Sequence, residues 1–107
     1  MSFNDLRFAT CPPQAGVAQL RWYIQQAAAG VLTIHEFLRD FRTVHENAER
    51  HGAPNYASPA EAKAIWDVLW AVEFCSPNIA QEENPEDWVI PEEVLAVVKR
   101  AAEKLEA

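Results

Sequence analysis

A chain of 107 residues, half of them apolar and with only three glycines, is the right size for one domain with a real core and a poor composition for turn-rich β architecture. Its formal charge of −7 is unevenly spread. Residues 1–63 carry six basic and six acidic groups, residues 64–107 three basic and ten acidic, and no basic side chain falls between Lys63 and Lys99. Such a field repels nucleic acid and membrane surfaces and attracts cationic partners, which argues against direct DNA or RNA binding.

In chain order, residues 1–13 form an N-terminal segment in which Phe3, Leu6 and Phe8 can dock as an extra helical turn, ahead of one domain over residues 14–107. The segment lacks the basic start and apolar run of a signal peptide, and no stretch approaches the roughly 20 apolar residues of a membrane span, so a cytoplasmic location is expected. The first helix is expected from about Gln14 to Ala29. Val17, Leu20, Ile24, Ala27 and Ala28 form its apolar stripe, and Gly30 suits its stop. The second opens on a capping box, Thr33-Ile34-His35-Glu36, and carries Ile34, Phe37, Leu38, Phe41, Val44 and Ala48 to an end near His51-Gly52. His45 adjoins that stripe and reads as a satisfied packing residue.

A second capping box, Ser58-Pro59-Ala60-Glu61, opens the third helix, with proline at the favoured first position. The run "AIWDVLWAVEFC" that follows is apolar nearly all round, which predicts a central helix covered by its neighbours on most sides. The fourth helix is expected from Pro91 to about Leu105, with Val94, Val97, Val98, Ala101 and Leu105 inward. Short links between the first three helices favour antiparallel neighbours. The expected fold is all-α: an antiparallel four-helix bundle with an acidic connection between helices three and four.

That connection holds "EENPEDWVIPEE", six carboxylates in twelve residues around one tryptophan. Asn84-Pro85-Glu86-Asp87 reads as the entry to a short helical turn. Glu92 and Glu93 read as helix-start acids favoured by the helix dipole, and Val89 and Val94 can form a hydrophobic staple. Glu82 and Glu83 have no comparable structural use. Trp88 reads either as a lid on the core or as an interface anchor, since tryptophan is enriched in binding hot spots.

Catalytic and metal patterns are not found. "HENAE" at His45–Glu49 lacks the second histidine of a zinc-protease helix, no Glu-x-x-His pair occurs, and the acidic stretch has no glycine for a calcium loop. There is no G-x-S-x-G and no phosphate-binding loop. Cys11 and Cys75 form no C-x-x-C and read as two reduced thiols, and the acidic half opposes thiolate formation. No catalysis and no cofactor are expected.

Three stretches, "LTIHEFLRDF" at Leu32–Phe41, "IWDVLWAVEFCSPN" at Ile65–Asn78 and "PEEVLAVVKRAAEKL" at Pro91–Leu105, resemble the colicin-D-type self-protective immunity proteins over about residues 17–105. The resemblance implies a bacterial four-helix bundle that neutralises a cognate ribonuclease toxin, typically one that cuts tRNA, by placing carboxylates in its basic active site. The toxin would be delivered as a bacteriocin or by a contact-dependent growth inhibition system. The family's contact acids cluster at the end of helix three and its proline turn. Glu73 matches one such position, whereas Ser76 and Asn78 beside Pro77 stand where acids can occur. The expected partner-binding set is therefore Glu73, Glu82, Glu83, Glu86, Asp87 and Trp88. A different class of reading is a helical adaptor that pairs through apolar stripes, including as a homodimer.

Overall fold

The computed structural model describes residues 6–52, 55–76 and 79–106. Four helices, α1 (Val17–Ala28), α2 (Ile34–Arg50), α3 (Pro59–Glu73) and α4 (Pro91–Glu106), form the bundle, with single 3-10 turns at Leu6–Phe8, Ile79–Gln81 and Pro85–Asp87. The all-α expectation holds. None of these helices is long and apolar enough to cross a membrane.

The core is one cluster built from a stripe of each helix: Leu20, Ile24 and Ala27 of α1; Phe37, Phe41, Val44 and Ala48 of α2; Ala64, Ile65, Val68 and Val72 of α3; and Val94, Val98, Ala101 and Leu105 of α4. Phe37 and Phe41, fully buried one turn apart, stack at 4.7 Å. Contacts join α4 to each of the other three helices, whereas α3 packs on α2 and α4. Helix α2 likewise meets all three of the others, and α3 exposes Trp66, Trp70 and Phe74, so no one helix is a covered centre. This corrects the reading of α3 as central.

Both expected capping devices form, with one difference. At α2 the box is complete: Thr33 Oγ1 accepts from the Glu36 N–H at 3.1 Å, and Glu36 accepts from the Thr33 N–H at 3.0 Å. At α3 the Ser58 hydroxyl accepts from the Glu61 N–H, but the Glu61 carboxylate reaches one residue further back, to the Ala57 N–H at 2.8 Å. The same carboxylate, buried, takes Arg21 of α1 at 2.6 Å, and Arg21 also donates to the Leu105 carbonyl at 2.8 Å. One ion pair thus fastens the starts of α1 and α3 to the end of α4, the placement an antiparallel bundle requires.

Helix α1 begins at Val17, three residues later than expected, after a Gly16 at φ 156° that gives no side-chain cap. Gly30 takes the left-handed conformation (φ 80°) that the turn out of α1 needs, with the Val31 N–H returning to the Gln26 carbonyl. The N-terminal segment makes its extra turn and covers the outer face of α1. Phe8 packs on Trp22 with ring centroids 5.5 Å apart, and Trp22 Nε1 donates to Thr10 Oγ1 at 3.1 Å, which buries Trp22 and Tyr23. Leu6 faces solvent instead of docking, and Phe3 lies outside the described residues.

Arg7 ties this segment to the bundle through two bonds to Glu36, at 2.9 and 2.7 Å. Those bonds, with the Thr33 N–H, hold the Glu36 carboxyl down at about 2, against 4.5 for an ordinary glutamate. The tether's contribution is thus complete above pH 4.5 and is lost as pH falls toward 2. An NMR titration should place the Glu36 midpoint near 2, and Arg7→Ala should move it up toward 4.5. An unmoved midpoint in that variant would show that the arginine is not the cause.

Candidate functional site

The acidic connection is pinned at its base. The Val89 N–H donates to the Phe74 carbonyl at 2.9 Å and the Ser76 N–H to the Val89 carbonyl at 3.0 Å, so Cys75 and Val89 form a single parallel bridge. Val89 and Val94 both pack into the core across the start of α4, as a staple there requires. From this base the chain projects as an acidic flap that returns beside the last turn of α3. The Pro85–Asp87 turn forms where expected, though Asn84 makes no side-chain cap.

The six expected contact residues divide on this scaffold. Glu83, Glu86 and Asp87 are exposed, and none of their carboxylates is in an ion pair among the described residues. Glu82 differs: it is half-buried and accepts from the hydroxyl of the buried Ser76 at 2.8 Å, closing the flap onto the end of α3. That corrects the expectation that it lacks a structural use. Glu73, at the end of α3, is exposed and pairs with Arg42 of α2 at 2.5 Å. Trp88 is half-buried, its ring edge toward Phe74 at 6.2 Å, so it combines the two alternatives, sheltering Phe74 while keeping a solvent face. Pro77 and Asn78 lie outside the described residues. Glu92 and Glu93 sit exposed in the first turn of α4, as helix-start acids do.

What the sequence reading missed is aromatic. Trp70 stacks on Phe74 with centroids 5.4 Å apart and planes within 5°, and Trp88 continues the row. Trp66 lies one turn earlier on α3, edge-on to His45 at 5.3 Å. Trp66 is 42% exposed, Trp70 59% and Phe74 39%, and Ile90 adds a further exposed apolar group where α4 begins. Three large aromatics at i, i+4 and i+8 in solvent form a contiguous patch of the kind that marks interaction surfaces, not scattered surface apolar residues. The signal was present in the sequence: Trp66, Trp70 and Phe74 fall on a different helical line from Ala64, Ile65, Val68 and Val72.

The chain was compared with protein families, curated proteins and solved structures. None matches it.

Among the described residues, no three His, Cys, Asp or Glu side chains gather as metal ligands. Both cysteines are free; burial pushes up the Cys11 thiol, and burial and then Glu92 push up that of Cys75, so neither is poised as a thiolate. His45 is buried with Nδ1 3.2 Å from Glu49, but its Nε2 has no hydrogen-bond partner among the described residues, so its expected satisfaction is only half met there. A cleft of about 470 Å3 lies between α2, the end of α3 and the start of α4, lined by His35, Arg39, Arg42 and Cys75 among others. Its arginines are already engaged, Arg39 by Asp40 at 2.7 Å and Arg42 by Glu73. The arrangement is an apolar row with Glu83, Glu86 and Asp87, which make no ion pair among the described residues, along its end.

Proposed function

We propose that this chain is a non-catalytic immunity protein that binds and neutralises a basic ribonuclease toxin through the end of α3 and the acidic flap. The observation that carries the reading is the juxtaposition of the row formed by the exposed Trp70 and Phe74 and the half-buried Trp88 with Glu83, Glu86 and Asp87, which make no ion pair among the described residues. Binding hot spots are rich in aromatic anchors, and complementary charge around them accelerates encounter and fixes orientation. A ribonuclease must keep a cationic cleft to hold RNA phosphates, and carboxylates presented on a rigid bundle can occupy that cleft with charge-assisted hydrogen bonds. The resemblance to the colicin-D-type immunity proteins supplies the nuclease; the surface supplies the basic partner.

The test is co-expression with the product of the adjacent upstream gene. That product should arrest growth alone and co-purify with this chain at one to one. A harmless product, or one that ignores the chain, refutes the reading. Within the complex, converting Glu83, Glu86 and Asp87 to lysine should leave helical content intact and slow association by roughly tenfold or more at low salt. The wild-type rate should itself fall as salt rises, through screening over about 8–10 Å. An on-rate independent of salt would assign recognition to the aromatic row alone.

The adaptor reading has one observation of its own. The far flank of Trp70 is lined by Asp67 together with Arg100 and Lys104 of α4, so acid lies on one side of the row and base on the other. A second copy could match that pattern. A sedimentation mass of twice the monomer, lost on Trp70→Ala, would favour it.

A further inference from the structure

We propose that the cleft on α3 between Trp66 and Trp70 receives one arginine side chain of the protein partner, with Glu73 as its counter-ion. It rests on the reading of this face as the partner surface, and it specifies the residue type that the face selects.

The cleft is formed by Trp66, Leu69, Trp70 and Glu73, residues at i, i+3, i+4 and i+7 that lie along one line of the helix. Its volume is about 220 Å3. A groove of that size on one helix face accommodates a single long side chain and not a helix or a strand. Three of the four lining residues are apolar and the fourth is a carboxylate. A neutral apolar side chain would leave the second oxygen of that carboxylate unused, and an acidic one would meet it with like charge. A basic side chain fits both parts: its methylene stem lies along the indoles and Leu69, and its charge meets an indole face and a carboxylate. Arginine suits the site better than lysine, because the planar guanidinium stacks on aromatic rings and pairs with carboxylates through two donors.

The charges facing the cleft from neighbouring elements bear on the same point. Arg42 of α2 occupies Glu73 Oε2, and Oε1 has no partner among the described residues. Lys63 is engaged by Asp67 at 3.1 Å, one turn away on α3. Arg42 therefore shows that the carboxylate already accepts a guanidinium, and it competes with the incoming one.

The experiment titrates the labelled full chain with N-acetylarginine methylamide and, separately, with its neutral isostere N-acetylcitrulline methylamide, following the four indole N–H signals by NMR. The arginine compound should shift Trp66 and Trp70 saturably and leave the buried Trp22 unmoved, while the citrulline compound shifts neither. Glu73→Gln should weaken the affinity by roughly three- to fivefold, the worth of an exposed charge pair. Arg42→Gln should strengthen it by a similar factor. Both positions are exposed, so the variants should fold, which a melting curve checks. Equal shifts from the citrulline compound would overturn the proposal, as would the absence of shifts up to about 100 mM, which leaves less than about 1.4 kcal/mol of binding. Shifts produced only by raising the protein's own concentration would assign the face to a second copy and overturn it too. Saturable arginine binding beside a harmless upstream gene product would refute the nuclease reading and leave the cleft standing; the reverse pattern would refute the cleft alone.

Discussion

Replacing Glu61 with alanine should destabilise the fold by about 2–3 kcal/mol, the largest effect of any polar substitution in the bundle. The carboxylate is 8% exposed and serves two partners at once, the Ala57 N–H that opens α3 and the Arg21 guanidinium. Its removal orphans a backbone donor and leaves Arg21 beside buried apolar surface with only the Leu105 carbonyl to bond. Arg21 is 35% exposed and can recover some hydration, so the cost stays at the lower end for a broken buried pair. Urea denaturation measures it. The pair Glu61→Leu with Arg21→Met should recover most of the loss, since replacing both charges leaves neither unpaired. The cycle should give a coupling of about 1 kcal/mol or more, and simple additivity would show that the two residues do not act together.

The second large effect is on binding. Trp70→Ala should weaken the partner complex by roughly 30- to 1,000-fold, the range of a 2–4 kcal/mol hot spot. It should cost the isolated chain less than about 1.5 kcal/mol, because the ring is mostly exposed and its contact is a stack on Phe74. Trp22→Ala is the matching control. That ring is buried between α1 and the N-terminal segment, so its loss should cost roughly 3 kcal/mol of stability and leave the affinity of the folded chain unchanged. Equal affinities for wild type and Trp70→Ala would remove the aromatic row from the interface.

These two tryptophans also show what the sequence can and cannot disclose. Apolar periodicity and capping residues located α2, α3 and α4 closely, because those signals are local: Thr33 and Ser58 bond to backbone three residues on. Burial is not local. Trp22 and Trp70 are equally apolar, but one is covered by a segment that folds back over α1, and the other stacks on Phe74 and stays mostly in solvent. The same limit explains Glu82. Its neighbour Glu83 makes no ion pair among the described residues, and the closure of the flap onto Ser76 separates their uses. The acids are legible in the sequence as a concentration of negative charge. The apolar surface they border is carried by Trp66, Trp70 and Phe74, which lie off the line of the buried residues of α3 and stay exposed once the bundle has formed.

Hydrogen exchange of the chain, free and bound to the upstream gene product, tests the central claim most directly. Amides of residues 79–88 should exchange fast in the free chain and slow markedly in the complex, with the last turn of α3 following them. Protection confined to the opposite side, around Gln19, Asn47 and His51, with the flap unchanged, would contradict it.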